Sequence, residues 1–315
     1  MRILIVKTSS MGDVVHALPA ISDIAQAIPG VQVDWLVEKS FAAMPSQHRA
    51  VNRVITLQWR KWRKSLRTPD TKAAIKTWRA EMALHRYDLV IDMQGLLKSA
   101  LFACFAQGPR AGYDRHSVRE PLASFFYKRH ARVSRELHAV DRCRRLAAQV
   151  LGYTLPNTAP DFGLKASAQA WTPAPGPYAV LIPCASRPEK LWSEQDWIAA
   201  ALRLRQKGLG IAVMWGNPEE EQRAKRIAQA CDGGVPPFLT VAQAGDTLAR
   251  AQLVVGLDTG LTHLAAAHGR PTLGIYCDHE PGLAGVIGPG TVISLGGKGQ
   301  VPSRTEVLAS MDQLL

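Results

Sequence analysis

Two series of short apolar runs, each alternating with helix-period stripes, constrain this chain most, because a stretch rich in Pro, Gly and Ala at 155–180 separates them. In the first series the runs lie at 3–6, 31–37, 51–57, 89–91 and 110–113. In the second they lie at 178–182, 211–215, 253–257, 272–276 and 292–295, with helical patterns at 194–207, 218–230, 260–268 and from Ser303 onward. Such runs, alternating with helices, mark parallel sheets covered by helices on both faces. The expected fold class is α/β: two doubly wound, Rossmann-like domains, 1–165 and 166–315, joined by a linker and facing each other across a cleft. Ligands in such sheets bind beyond the carboxyl ends of the strands, which makes that cleft the expected active site. Val14, Leu18, Ile21, Ala25 and Ile28 form one helical stripe, and Pro19 predicts a kink or an early-turn position in it.

Composition narrows the function. The 315 residues, 47% hydrophobic, suffice for two cores. No apolar run reaches the length of a membrane span, and the start of the chain shows no export signal, so a cytoplasmic protein is expected. The five cysteines form no CxxC pair, which argues against a disulfide framework or a zinc site. No GxGxxG or Walker A pattern follows any strand, so a nicotinamide-dependent oxidoreductase is disfavoured. The net charge of +12 is one-sided: residues 1–165 hold 26 Lys and Arg against 13 Asp and Glu, residues 166–315 hold 12 against 13. An anionic partner for the first half follows, whether phosphate groups, an acidic sugar, a membrane surface or nucleic acid; a merely solvated basic surface is the plainer alternative.

Four strand-loop-helix starts carry candidate chemistry. KTSSMGDVVHALPA (7–20) places Asp13 after a buried strand, with Ser9, Ser10 and Gly12 in the turn. Asp13 suits either a helix cap or a base. PCASRPEKLWSEQDW (183–197) sets Ser186, Arg187 and Lys190, three phosphate-capable groups, on one loop. WGNPEEEQRAKR (215–226) has an acidic first turn that suits the helix dipole, and one of its carboxylates could also meet ribose hydroxyls. In VVGLDTGLTHLAAAHGRP (254–271), Asp258 and Thr259 could cap a helix whose first N–H groups, near Gly260, offer a diphosphate seat. His263 either serves that seat or packs on its flank. The basic aromatic stretches QWRKWRKSLR (58–67) and REPLASFFYKRHARVSR (119–135) suit lipid headgroups, a membrane interface or nucleic acid.

Together VKTSSMGDVVHALPA, RKWRK, IDMQGLLKSA, REPLASFFY, EKLW, WGNPEEEQRAKR and DTGLTHLAAA, in this order from Met1 to about Gly290, resemble the ADP-heptose:lipopolysaccharide heptosyltransferases of glycosyltransferase family 9. The resemblance implies a GT-B fold and inverting transfer of L-glycero-D-manno-heptose from ADP-heptose onto the first Kdo of Kdo2-lipid A, to which the TSSMGD form points. The donor would lie on the second domain and the lipid acceptor on the basic first. Carried over residue by residue, Asp13 would be the general base and Lys190 would meet the ADP phosphates. Glu220 would contact the ribose, and Asp258, Thr259, Gly260 and His263 match the donor segment. The loop at 184–186 departs from the family: CAS stands where a Thr-Thr pair is common, so Ser186 keeps one hydroxyl and Ala185 loses the other. The C-terminal tail is also short. Ser9, Ser10 and Gly12 would let the acceptor approach, and Arg60, Arg63, Lys64, Lys98 and Arg119 are the candidates for its anionic groups. No DxD metal motif is present, so no obligatory metal or other cofactor is expected. The expected partners are ADP-heptose, Kdo2-lipid A and the anionic cytoplasmic face of the inner membrane, with no nucleic acid. The alternatives are a family member acting on an already heptosylated core and, in a different class, a basic nucleic-acid- or membrane-binding protein.

Overall fold

The computed structural model describes residues 1–166 and 170–315. The chain forms two compact units, Met1–Gly163 and Leu164–Leu315.

Unit one is built on six parallel strands: β1 (Arg2–Val6), β2 (Gln32–Glu38), β3 (Val51–Leu57), β4 (Leu89–Asp92), β5 (Arg110–Tyr113) and β6 (Arg129–Ala131), in the order β3-β2-β1-β4-β5-β6. The register is in step: Ile3 pairs with Val33 on one side of β1 and with Leu89 on the other. Ile3 to Val6 and Leu89 to Ile91 are fully buried, as expected for central strands covered on both faces. The chain adds strands on one side of β1, then crosses to the other at β4. That reversal makes the gap between the carboxyl ends of β1 and β4 the ligand crevice of the sheet.

Unit two repeats the plan with β7 (Tyr178–Ile182), β8 (Gly210–Val213), β9 (Leu253–Leu257), β10 (Thr272–Tyr276) and β11 (Val292–Gly296), in the order β11-β10-β9-β7-β8, all parallel. Its reversal lies between β7 and β9. The core under this sheet includes Leu181, Trp197, Val213, Leu253, Val255 and Ile275. The closing helix Arg304–Leu314 starts at Ser303, whose hydroxyl accepts from Glu306 N while Glu306 accepts from Ser303 N, a capping box.

Three expectations need correction. Of the two outcomes expected for Pro19, a kink or an early-turn position, the second does not hold, because Pro19 lies in the interior of the helix Met11–Ala27. Buried neighbours Val15, Leu18 and Ile21 hold that helix against unit one, so packing outweighs the lost donor. The stretch 155–180 holds the division between the units, at Gly163/Leu164, as expected of a linker, but its described residues are tied down, 167–169 lying outside them. Phe162 is buried, Gly163 O accepts from Arg49 N at 2.9 Å, and Thr247 Oγ1 donates to Trp171 O at 3.1 Å. The tryptophans of 58–67 do not face solvent with the cations. Trp62 is 5% exposed, and Trp59 packs edge-on to Phe102 in a cluster with Trp78.

Gly112 in β5 lets Tyr127 lie against the strand. A Cβ at residue 112 would meet the Tyr127 ring at 2.3 Å. Tyr127 is buried and its hydroxyl is tied to Asp92, so the ring has no room to yield. Gly112→Ala is expected to cost about 1–3 kcal/mol, read as a lower urea midpoint at unchanged slope.

Candidate active site: loop clusters at the two crevices

In unit one the crevice loop holds Asp13. Ser10 is the N-cap of the helix Met11–Ala27, and Asp13 Oδ2 accepts from both Ser10 N and Ser10 Oγ at 2.9 Å. Asp13 Oδ1 lies 3.6 Å from Lys7 Nζ. Burial pushes the Asp13 carboxyl up, but Lys7, the two Ser10 bonds and Arg119 together hold it below its ordinary value. Asp13 is therefore ionised at neutral pH and aimed by Lys7 and Ser10. Ser9 and Gly12 are half-buried beside it, and Ser10 is exposed.

The loop itself is clamped from β4. Gln94 Oε1 accepts from Thr8 N and Ser9 N, both at 3.1 Å, and Lys7 Nζ donates to Met93 O at 3.1 Å. Asp92, at the end of β4, holds the Gln94 turn in place. It accepts from Gln94 N at 2.8 Å, Gly95 N at 3.1 Å, Ser99 Oγ at 2.7 Å and Tyr127 OH at 2.8 Å. Gly95 turns with φ of 69°, a conformation that glycine adopts without strain. Sequence reasoning left Lys7, Asp92 and Gln94 without roles, because the clamp joins positions more than eighty residues apart. The available signal was polar: three hydrophilic residues at or just past the ends of buried strands. Gln94→Met removes the shared acceptor while keeping bulk. It is expected to lower turnover roughly tenfold with little change in acceptor KM, because aim rather than contact is lost; steady-state kinetics checks it.

The five candidate acceptor cations separate. Arg60, Arg63, Lys64 and Arg119 are exposed and Lys98 is half-buried. Arg60 N donates to Glu38 Oε1 at 3.2 Å, and the Arg60 guanidinium stands 5.4 Å over the Phe41 ring. Burial raises the Glu38 carboxyl, and hydrogen bonding at Arg60 together with the Arg60 and Lys98 charges only partly offsets it. Glu38 thus joins Arg60 and Lys98 in one cluster, which the sequence did not reveal. Arg119 lies close enough to act on Asp13.

In unit two, Lys190 and Asp258 meet at 2.6 Å at the β7/β9 crevice, and His263 Nε2 is 3.7 Å from the other Asp258 oxygen. Burial raises the Asp258 carboxyl, but hydrogen bonds from His263 and Lys190 and their charges bring it down to about 2. Asp258 is not the helix cap. Asp258 is drawn to Lys190 and His263, and the N-cap of Gly260–Ala267 is Thr259, whose side chain makes no capping bond and lies 3.3 Å from Thr262 Oγ1. The N–H groups of Gly260 and Leu261 open the helix, where its dipole favours an anion. Glu220 sits one strand away: its Oε2 accepts from Gly216 N at 2.9 Å, at the start of the helix Pro218–Cys231, and it also touches the Cys184 thiol. Ser186 is exposed on the Lys190 loop. Among the described residues, no three His, Cys, Asp or Glu side chains group as a metal site.

A family model for glycosyltransferase family 9 (heptosyltransferase) matches residues 75–310. Lipopolysaccharide heptosyltransferase 1 of Escherichia coli (strain K12) is 44% identical over 296 residues, 93% of each chain. Its namesake from Pseudomonas aeruginosa is 43% identical over 290 residues, covering 91% of this chain and 82% of that one. The solved structure of E. coli heptosyltransferase WaaC with ADP superposes with a TM-score of 0.92 at 40% identity, covering 100% of both chains. E. coli heptosyltransferase II, at 19% identity and a TM-score of 0.77, shares the fold. Two parallel-sheet units with loaded crevices, matched to these structures, define a glycosyltransferase of the GT-B type. Within that class, the chain belongs to glycosyltransferase family 9, the heptosyltransferases.

Proposed function

We propose that this enzyme transfers L-glycero-D-manno-heptose from ADP-heptose onto the first Kdo of Kdo2-lipid A, in building the lipopolysaccharide inner core, with inversion at the anomeric carbon. The observation that carries the mechanism is Asp13, an ionised carboxylate aimed by Lys7 and Ser10. The relatives support the choice of donor: WaaC has been solved with ADP-2-deoxy-2-fluoro heptose, at 39% identity to this chain. In this reading unit one, 1–165 in the sequence division, binds the acceptor and unit two, 166–315, binds the donor. Asp13 takes the proton of the Kdo hydroxyl as its oxygen attacks the anomeric carbon, and the bond to the ADP oxygen breaks. Lys190 and the N–H groups near Gly260 stabilise the charge gathering on the leaving diphosphate. Ser186, Thr259 and His263 line the donor seat, and Glu220 meets the ribose. Arg60, Arg63, Lys64, Lys98 and Arg119 hold Kdo carboxylates and lipid A phosphates.

The test is ADP release from ADP-heptose with Kdo2-lipid A. A monoheptosylated acceptor supplied in competition distinguishes the alternative acceptor; preference for it would overturn the assignment to the first Kdo. No resident metal or other cofactor takes part in the proposed reaction. Full ADP release in EDTA is the expected result, and activity that returns only on adding Mg²⁺ would contradict it.

The enzyme works, in the same proposal, on the cytoplasmic face of the inner membrane, held peripherally by the anionic surface. The excess of cations in residues 1–165 supports this. No helix of the described residues is long and apolar enough to cross a membrane. Nucleic acid is not a partner in this reading: binding to vesicles but not to polynucleotide at moderate salt is expected.

A further inference from the structure

At the opposite end of the unit-one sheet from Asp13 lies a cavity of about 460 Å³, lined by Arg86, Gln107, Gly108, Pro109, Arg110 and Lys128. Three of these six are cations and none is acidic. Arg86 precedes β4, Arg110 opens β5 and Lys128 precedes β6, so the wall is made of strand starts. The backbone there is fixed. Tyr87 N donates to Gln107 O at 2.8 Å, Val90 N to Pro109 O at 2.9 Å, and Lys128 N to Arg110 O at 2.8 Å. A Cβ at Gly108 would meet Tyr87 O at 2.3 Å. Arg110 is aimed by its Nε, which donates to Phe126 O at 3.0 Å. Among the described residues, neither Arg86 nor Lys128 makes an ion pair. Asp88, the nearest carboxylate along the chain, accepts from Arg2 N.

Exposed apolar side chains lie near the cavity along the chain. Leu84 is 65% exposed, next to Ala83, whose carbonyl accepts from the lining residue Gln107. The turn Pro121–Phe126 carries Leu122 at 61% and Phe125 at 83% exposure. Phe125 is three residues from Lys128, within roughly 10 Å along the chain. That turn begins at Glu120, whose N–H donates to Gly95 O beside the Gln94 clamp, and ends at Phe126, which Arg110 holds. It therefore crosses from the Asp13 end of the sheet toward the cavity, packed on the helix Leu97–Ala103 and on β5. Exposed cations flank it at Arg115, Arg119, Arg129, Arg132 and Arg135. A cationic recess with exposed Leu and Phe side chains near it along the chain is complementary to a bilayer surface whose phosphates lie just above apolar chains.

We infer that this edge docks on an anionic bilayer, with the phosphate of one membrane phospholipid in the Arg86–Arg110–Lys128 recess and Leu84, Leu122 and Phe125 entering the headgroup layer. This rests on the membrane association proposed above and names its surface. The headgroup is a second lipid, distinct from the acceptor that Asp13 would deprotonate.

The experiment is flotation with vesicles of phosphatidylcholine containing phosphatidylglycerol, beside turnover of O-deacylated acceptor in solution. The Arg86→Ala/Lys128→Ala variant is expected to lose at least roughly tenfold in partition, from two cations near the surface. Phe125→Ser should bind several-fold more weakly while keeping the salt dependence of the wild type. Both should turn over the deacylated acceptor as the wild type does, which shows that they are folded. The control Lys72→Ala/Lys76→Ala, exposed cations on the helix Pro69–Met82, should keep wild-type binding. Equal losses in the control would overturn the inference in favour of diffuse charge. Displacement from vesicles by inorganic phosphate at constant ionic strength would overturn it in favour of a free-anion site. Wild-type binding by both the cavity and the Phe125 variants would refute the docking edge while leaving membrane association standing. A wild type that binds no vesicles removes the association itself.

Discussion

Asp13→Asn is expected to lower kcat about a thousandfold while the folded chain keeps near-normal stability. Asn retains an oxygen for the Ser10 N–H, so the turn before the helix Met11–Ala27 keeps its bond. What it loses is the capacity to take a proton. Asp13→Ala loses the bond as well and should cost about 1 kcal/mol of stability in addition. Single-turnover ADP release and urea melts separate the two effects. Activity in Asp13→Asn within tenfold of the wild type would leave Asp13 a structural member of the turn and sink the general-base assignment.

The pH dependence follows from the direction of the shift. The Asp13 carboxyl lies below its ordinary value of 3.8, so the ionised form is fully present at neutral pH. A low pKa makes a weak base, but a hydroxyl becomes acidic as its oxygen bonds to the anomeric carbon, so a late transfer suffices. Turnover should stay level into mildly acidic conditions. The associated stability is complete above the unfolded value and is lost only as pH falls through the lower folded one. Lys7→Met removes the largest opposing influence on burial, so it should move the acid limb of kcat to higher pH.

Much of this fold was legible because its central strands are continuous apolar runs. β1, β7, β9 and β10 are each buried on both faces, and such a strand announces itself without reference to its neighbours. β6 was not legible: Arg-His-Ala carries no hydrophobic pattern and pairs only at the sheet edge. The loops also spoke locally. Asp13, Lys190 and Asp258 each follow a strand that the sequence reveals. Their partners did not, because the clamp of Gln94 on Thr8 and the pairing of Lys190 with Asp258 depend on strand order. Strand order sets which loops meet at the reversal, and no periodicity encodes it. Trp59 and Trp62 misled for a related reason. Alternating cations and aromatics look like one surface, yet the short helix Trp59–Trp62 turns its rings inward and leaves Arg60, Lys61 and Arg63 outside.

Lys190→Met should lower kcat/KM by roughly 100- to 1000-fold, the usual effect of removing one preorganised group that faces developing charge. Its pairing with Asp258 makes the expected result more specific. With Lys190 present, Asp258 is held at about 2 and its charge is shared with an ammonium 2.6 Å away. With Lys190 gone, an unbalanced carboxylate stands beside the helix start where a diphosphate would bind, and like charges repel. Removing that carboxylate too should recover part of the loss, so Lys190→Met/Asp258→Asn is expected to be several-fold better than Lys190→Met alone. Coupling of this kind is expected between contacting charges. The lowered Asp258 carboxyl, held by His263 and Lys190 together against burial, contributes about 2 kcal/mol to the fold. That contribution is complete above the ordinary 3.8 and is lost as pH falls through about 2. ADP affinity by calorimetry, measured across the four proteins of the cycle, is the check. Strictly additive losses would mean that Asp258 does not set the charge Lys190 presents, and that the pair is a packing contact next to the donor seat rather than part of it.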